Sequence, residues 1–361
     1  MDQGLLKPEL GYYTLAGHTN NPRDLVQEAL DAERLGLGSA FISERFNLKD
    51  ASTLSGAVGA VSERIGIATG ATNHNTRHPL VTATYATTMH RLTGGRFALG
   101  LGRGFDGLFD AMGLPRITMK GMEDFCGIMR RLWQGETVLG HDGPAGKYPW
   151  LAQDPAFNED IPLMLCALGP KTLEFAGRVF DGVILHTFFT DETLAECVRL
   201  VRKGAADAGK DPASVRVWSV LATIGDHLSY ELTMKKTVGR MATYLQAYGD
   251  ILVSVNGWDK AVLERFRADP FVANFKGALD AKASTEELER VAPLIPEAWL
   301  AASAMGSPEQ CAKRVVDQFD CGADGVILHG ASPAELEPIV KAYEAIRPAA
   351  RFEGRVANPG R

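Results

Sequence analysis

The feature that most narrows what this chain can fold into is a regular alternation of short apolar runs with amphipathic stretches, punctuated by glycine and proline. Strand-like runs fall at 10–15, 40–43, 65–69, 97–102, 162–167, 183–186, 215–222 and 326–329, with helical patterns at about 22–35, 52–63, 79–92, 121–133, 171–179, 193–208, 308–319 and 333–346. The runs are nearly continuous in Val, Ile, Leu, Ala and Gly, as expected of parallel strands covered on both faces. Helix boundaries carry explicit signals. Asn21 and Pro22 open the first helix and Gly36 ends it, while Ser307 with Gln310 and Ser332 with Glu335 form capping boxes. Eight strand–helix units in one chain of 361 residues predict an α/β fold, a (β/α)8 TIM barrel with insertions after strands 4 and 7. One domain is expected over 1–348, with insertions at about 103–160 and 225–305. The Gly/Pro-containing tail at 349–361 is expected to fray.

One hexapeptide occurs twice: Asp181-Gly182-Val183-Ile184-Leu185-His186 returns letter for letter as Asp324 to His329. The copies lie too far apart for a solenoid repeat. They read as one solution used twice, an Asp-Gly turn into a buried parallel strand that ends in histidine. In a barrel, chemistry gathers at the C-terminal ends of strands. That rule selects His18, Glu44, Arg45, the 70–78 segment, Arg103, Leu168, His186 and His329.

Charge and composition exclude several classes. Lys and Arg number 38 against 44 Asp and Glu, with no basic stripe to neutralise phosphates, which argues against nucleic acid. No run approaches the ~18–20 apolar residues that cross a bilayer. The start Met1-Asp2-Gln3-Gly4 lacks a secretory layout, so a cytoplasmic protein is expected. Five scattered cysteines make no disulfide framework.

Three motifs carry alternative readings. Gly102-Arg103-Gly104-Phe105-Asp106-Gly107 matches G-x-G-x-x-G, but it follows the fourth strand rather than the first. It reads better as a strand end where backbone closely approaches a flat ring or a phosphate than as a dinucleotide fingerprint. His74 and His78 are four apart, yet the segment reads as a loop with no carboxylate beside it. No metal site is expected, and His78 before Pro79 reads as a helix cap or a packing residue. Ala167-Leu168-Gly169-Pro170-Lys171 joins a strand to a helix whose N–H groups could face an anion, or forms an ordinary turn.

These residues also resemble a known family. The stretch Leu92-Thr93-Gly94-Gly95-Arg96-Phe97 through Gly104 resembles the signature of the bacterial luciferase-like flavin monooxygenase superfamily. Thr69 to Asn73, Thr76 to Pro79, Ala167 to Lys171, Gly182 to Ile184, and Gly306 to Gln310 with Gly322 to Gly325 look like its branch that uses the deazaflavin coenzyme F420. The resemblance runs from about residue 9 to 347 and implies a TIM barrel. It implies a third-strand bulge, often with a non-prolyl cis peptide, behind the middle ring of the coenzyme; the matching bond is Gly70–Ala71. It implies coenzyme contact by Glu44, Gly70, Ala71, Asn73, Gly102, Arg103, Gly104, Leu168, Gly169 and Pro170. Hydride transfer needs a proton donor or acceptor, for which His18, His186, His329 and Glu44 are the candidates. The branch's glucose-6-phosphate dehydrogenases carry His where Arg45 stands and Glu where Phe105 stands, which argues against sugar-phosphate oxidation. Phe105, Trp150 and Phe188 suggest a small, partly apolar substrate.

The first reading is therefore a coenzyme F420-dependent oxidoreductase. The alternatives are a two-component monooxygenase using FMN and a non-catalytic flavin- or deazaflavin-binding barrel. A homodimer through outer helices, such as the small-residue helix 52–63, is implied by the resemblance.

Overall fold

The computed structural model describes residues 4–16, 21–46 and 48–361. Among them run eleven strands: β1 (Lys7–Tyr13), β2 (Leu37–Ile42), β3 (Gly66–Thr69), β4 (Phe97–Leu101), β5 (Val138–Gly143), β6 (Gly146–Leu151), β7 (Leu163–Cys166), β8 (Gly182–Ile184), β9 (Arg216–Gly225), β10 (Ala304–Gly306) and β11 (Gly325–His329). Eight of them close into a parallel barrel in the order β1-β2-β3-β4-β7-β8-β9-β11, and β11 returns to β1 with Leu10 opposite Val326. This is the expected TIM barrel, and its long insertions follow the fourth and seventh barrel strands. No helix among the described residues is long and apolar enough to cross a membrane.

The barrel strands are buried along nearly their whole length because helices cover the outside and side chains fill the inside. The filling is compact: Phe41, Ala68, Ala98, Met164, Ile184, Trp218, Val220 and Ile327 pack together, with Tyr13 and Cys166 above them toward the C-terminal mouth. Most outer helices begin and end where local chemistry dictates. Thr118, Thr190, Ser307 and Ser332 cap with their side chains, and Gly36 closes the first helix at φ +69°. That helix runs Asp24–Leu35, so Asn21 and Pro22 form a turn just ahead of it.

The duplicated hexapeptide has a structural cause. Asp181 N–H donates to Leu163 O at 2.8 Å, and Leu163 N–H donates back to the Asp181 carboxylate at 2.9 Å. Asp324 repeats the pair with Val217 at 2.8 and 2.9 Å. Each aspartate thus pins the start of its own strand to its neighbour's at the N-terminal rim. Each copy then delivers a histidine to the opposite rim.

One expectation is corrected, and two elements are added to those the sequence predicted. Residues 349–361 do not fray but fold beneath the barrel. Trp218 Nε1 donates to Pro359 O at 2.7 Å, Arg216 donates to Asn358 O at 2.9 Å and Arg361 O at 2.7 Å, and Asn358 Nδ2 donates to Gly95 O at 2.7 Å and Phe97 O at 3.0 Å. The tail stays because polar groups at the barrel floor would otherwise be buried without partners. Gly66 admits it: a Cβ there would lie 1.8 Å from Ala357 O. The Gly/Pro-rich stretch after residue 138 is an antiparallel hairpin, β5 with β6, that pairs Val138 with Leu151. Its aromatic face, with Leu139 opposite Trp150, is turned outward, so the segment does not join the buried pattern of the barrel strands. A short extra strand, β10, continues the sheet beside the end of β9.

Replacing Asn358 with alanine strands the Gly95 and Phe97 carbonyls. The variant should lose about 2–4 kcal/mol of unfolding free energy in urea titrations. A loss within error of zero would show that the tail does not seal the barrel.

Candidate active site

At the C-terminal mouth, the loop after β3 is threaded between its neighbours by backbone bonds. Gly70 N–H donates to Ile42 O at 2.8 Å, Glu44 N–H to Ala71 O at 3.2 Å, Thr72 N–H to Gly100 O at 3.0 Å and Gly102 N–H to Thr72 O at 2.8 Å. The Gly70–Ala71 peptide bond is cis. Glu44, just past β2, holds this loop from beneath. Its carboxylate accepts from Thr72 Oγ1 at 2.7 Å and Arg77 Nη1 at 3.2 Å, pairs with Arg77 Nη2 as well, and receives Ala51 N–H at 3.4 Å. Arg77 also meets Asp50. Both oxygens of Glu44 are thus committed, which suits a scaffold for the loop better than a proton carrier. Asn73 is committed too, its Oδ1 accepting from Asn75 N–H and Thr76 N–H, each at 3.0 Å.

Beside this frame, glycines allow neighbouring groups to approach the backbone closely. A Cβ on Gly102 would stand 3.2 Å from Ala71 Cβ and 3.9 Å from Cys166 Cβ, and one on Gly70 would stand 3.2 Å from the Tyr13 ring. Gly104 is left-handed at φ +62°, and Phe109 packs where its side chain would be. Arg103 is exposed, its Nε donating to Ile117 O at 3.2 Å. On the same rim Leu168 packs against the core, Gly169 has open space on its Cβ side, and Pro170 begins the helix Pro170–Val179.

Across the mouth stand the two duplicated histidines. His186 shares a hydrogen through Nδ1 with Thr187 O at 3.0 Å, which assigns the proton to Nδ1 and leaves Nε2 as the acceptor. Its ring lies 5.1 Å from Tyr244 and 5.3 Å from Tyr248. His329 meets the Tyr13 ring edge-on at 5.4 Å, and its Nδ1 has no hydrogen-bond partner among the described residues. Burial lowers both imidazoles from the ordinary histidine value, and His329 is lowered further by Arg240, His186, Arg45 and Lys236. Both are neutral at pH 7. His18 lies outside the described residues.

Other sequence candidates fall elsewhere. His78 caps the helix Pro79–Leu92, its Nδ1 accepting from Leu80 N–H at 3.3 Å, and His74 stacks on Phe125 at 5.1 Å. No group of three or more His, Cys, Asp or Glu side chains among the described residues is placed to hold a metal ion. Phe105 is on the rim, but Phe188 is core and Trp150 lies exposed on the hairpin. Sequence reasoning missed Tyr13, Tyr244 and Tyr248, and selected Arg77 only as part of the 70–78 segment. Tyr244 and Tyr248 are spaced i and i+4 on the helix Arg240–Val255, a signal that was present but unplaced without the fold. Two surface cavities of about 540 and 640 Å3 open elsewhere, near Lys7 and near Thr84.

His74 provides a pH test. Burial pushes its pKa down to about 4, so in acid the unfolded chain takes up a proton that the folded chain resists. Its neutral burial therefore stabilises fully above the unfolded value near 6.5, and that contribution is lost as pH falls toward 4. Between pH 7 and pH 4.5 the wild type should lose up to about 2 kcal/mol that His74→Phe does not. Urea unfolding of both proteins at the two pH values measures it; parallel losses would contradict the burial.

The family model for luciferase-like monooxygenases matches residues 6–325. A 5,10-methylenetetrahydromethanopterin reductase of Methanolobus tindarius is 28% identical over 318 residues, covering 86% of this chain and 91% of that protein. An F420-dependent glucose-6-phosphate dehydrogenase of Kribbella flavida is 28% identical over 350 residues, covering 88% of this chain and 91% of its own. The solved structure of a coenzyme F420 dependent tetrahydromethanopterin reductase from Methanopyrus kandleri superposes with a TM-score of 0.77 at 20% identity, covering 94% of this chain and 99% of that one. At that identity the likeness speaks to the fold.

Proposed function

The chain belongs to the luciferase-like monooxygenase family, and from that membership we propose that it is an oxidoreductase using coenzyme F420 to move a hydride to or from a small organic substrate. The observation that carries this reading is the glycine pair at the mouth, Gly70 and Gly102, where a Cβ would crowd the Tyr13 ring at 3.2 Å and Ala71 Cβ at 3.2 Å. A flat ring can approach backbone there, and the similarity to F420-dependent relatives favours a deazaflavin over FMN.

In this reading Gly70, Ala71 and Gly102 would support the ring, with Glu44 and Asn73 fixing the loop beneath it. Arg103, Gly104, Leu168, Gly169 and Pro170 would line the rest of the coenzyme. The coenzyme supplies a two-electron hydride exchange at its ring. The chain supplies position, water exclusion and a place for the accompanying proton. His329 is the strongest proton carrier, because its neutral imidazole has Nδ1 without a protein partner beside the Tyr13 ring. His186, held by Thr187 O, would orient the substrate oxygen. The protein would act in the cytoplasm, in keeping with its five free thiols, and as a homodimer. Val81 and Leu92 stay exposed on the outer helix Pro79–Leu92 and would suit such a contact, whereas Gly59 of the small-residue helix packs against Met89 and Thr93 of the same chain.

Equilibrium titration with coenzyme F420 and separately with FMN tests the proposal, with F420 expected to bind the tighter. Gly102→Val should weaken F420 binding at least tenfold, about 1.4 kcal/mol, in a protein whose thermal unfolding shows it folded. Gly127→Ala, where a Cβ meets nothing within 4 Å, should leave affinity unchanged. Tight FMN binding without F420 binding would refute the coenzyme assignment. Wild-type affinity in a folded Gly102→Val protein would refute the seat.

A further inference from the structure

The insertion after the seventh barrel strand sends one helix, Arg240–Val255, over the mouth, and its two inward phenols join a continuous aromatic wall. Phe105, on the rim beyond β4, lies 4.5 Å from Tyr248, with their planes 38° apart. Tyr248 is 5.3 Å from His186, Tyr244 is 5.1 Å from His186, and the two tyrosines meet at 5.9 Å and 85°. The wall therefore runs from Phe105, next to the glycine seat, across to the histidine that ends the β8 segment. Phe105 is 41% exposed, a large apolar ring at the entrance of a polar rim.

Two of the cations near the wall are already paired. Arg240 pairs with Asp280 at 3.0 Å and Lys236 with Glu335 at 3.0 Å, so an anionic substrate group would have to displace a carboxylate to reach either cation. The rings that form the wall are themselves uncharged, although Arg45 lies close enough to act on Tyr244, Tyr248 and His329. Burial raises the phenols of Tyr244 and Tyr248, the latter to about 12, and lowers both imidazoles, so hydroxyl donors stand beside nitrogen acceptors. Such a surface recognises a flat apolar face and one neutral oxygen.

We propose that the substrate half of this site takes an uncharged compound with an aromatic face and one carbonyl or hydroxyl oxygen, an aromatic ketone or its secondary alcohol, seated against Phe105 and Tyr248. For its chemistry this rests on the coenzyme reading above. The ketone carbon would gain the hydride and its oxygen a proton, with both electrons coming from the reduced coenzyme.

The test follows oxidation of reduced coenzyme F420 with acetophenone, cyclohexanone or pyruvate as acceptor. Acetophenone should show a KM at least tenfold below that of cyclohexanone, and pyruvate should not be used. Phe105→Leu and Tyr248→Ala should each raise the acetophenone KM about tenfold without changing coenzyme affinity, and Tyr248→Phe should keep the preference. Phe105 is exposed enough that its variant does not depend on repacking. A second arm needs no coenzyme: saturation-transfer NMR of acetophenone with the protein alone, expected to weaken in Phe105→Leu. Loss of that signal supports the wall even if F420 fails to bind. Coenzyme binding with pyruvate preferred, or acetophenone kinetics unchanged in both variants, overturns the wall and leaves the coenzyme reading standing.

Discussion

One carboxylate organises the mouth of this barrel. Glu44 leaves β2, reaches beneath the loop that follows β3, and accepts from Thr72, Arg77 and the N–H of Ala51. Arg77 carries the connection on to Asp50, the N-cap of the helix Ala51–Val61. Two strand ends, a loop and a helix start are thus tied by one network, and its members have little spare hydrogen-bonding capacity. That commitment holds the segment around Gly70 and Ala71 in place at the end of β3. A charge buried this way is costly to strip of its partners, so the scaffold and the seat stand or fall together.

The opposite rim shows a second economy. Asp181 and Asp324 each bracket a strand start by paired backbone and carboxylate bonds, and the five residues after each aspartate carry a histidine across the barrel to the mouth. The same local solution therefore pins a strand at one end and places a histidine at the other. His186 and His329 differ only in what surrounds them. The first is fixed by Thr187 O and flanked by two tyrosines, while the second faces Tyr13 with a nitrogen that has no partner among the described residues. The proposed split between an orienting and a proton-carrying histidine rests on that difference.

Much of this was legible in the chain. The eight apolar runs, the capping serines at 307 and 332, and Gly36 all reported local physics, and local physics decided those elements. What stayed hidden depended on distant partners. The tail reads as Gly/Pro-rich coil until Trp218 and Arg216, some 140 residues earlier, supply donors for its carbonyls. The β5–β6 hairpin carries Leu139 opposite Trp150 on an exposed face, so its pairing is not tied to the barrel core that organises the rest of the pattern. Tyr244 and Tyr248 sit in an irregular insertion, and only the barrel's closure brings them against His186. Glu44 was located by its place at the end of β2, whereas the bonds through which it ties the loop depend on Thr72, Arg77 and Ala51, outside its own segment.

The central claim is that the glycine-lined ends of β3 and β4 seat the deazaflavin ring beside the histidine pair. A crystal structure of the protein with coenzyme F420 tests it most directly. The account requires the ring against the Gly70–Ala71 peptide and Gly102, with its open face toward His329 and the Tyr248 wall. A ring bound anywhere else, for instance in the outer groove beside Thr84 and Thr87 with the mouth filled only by water, would contradict it.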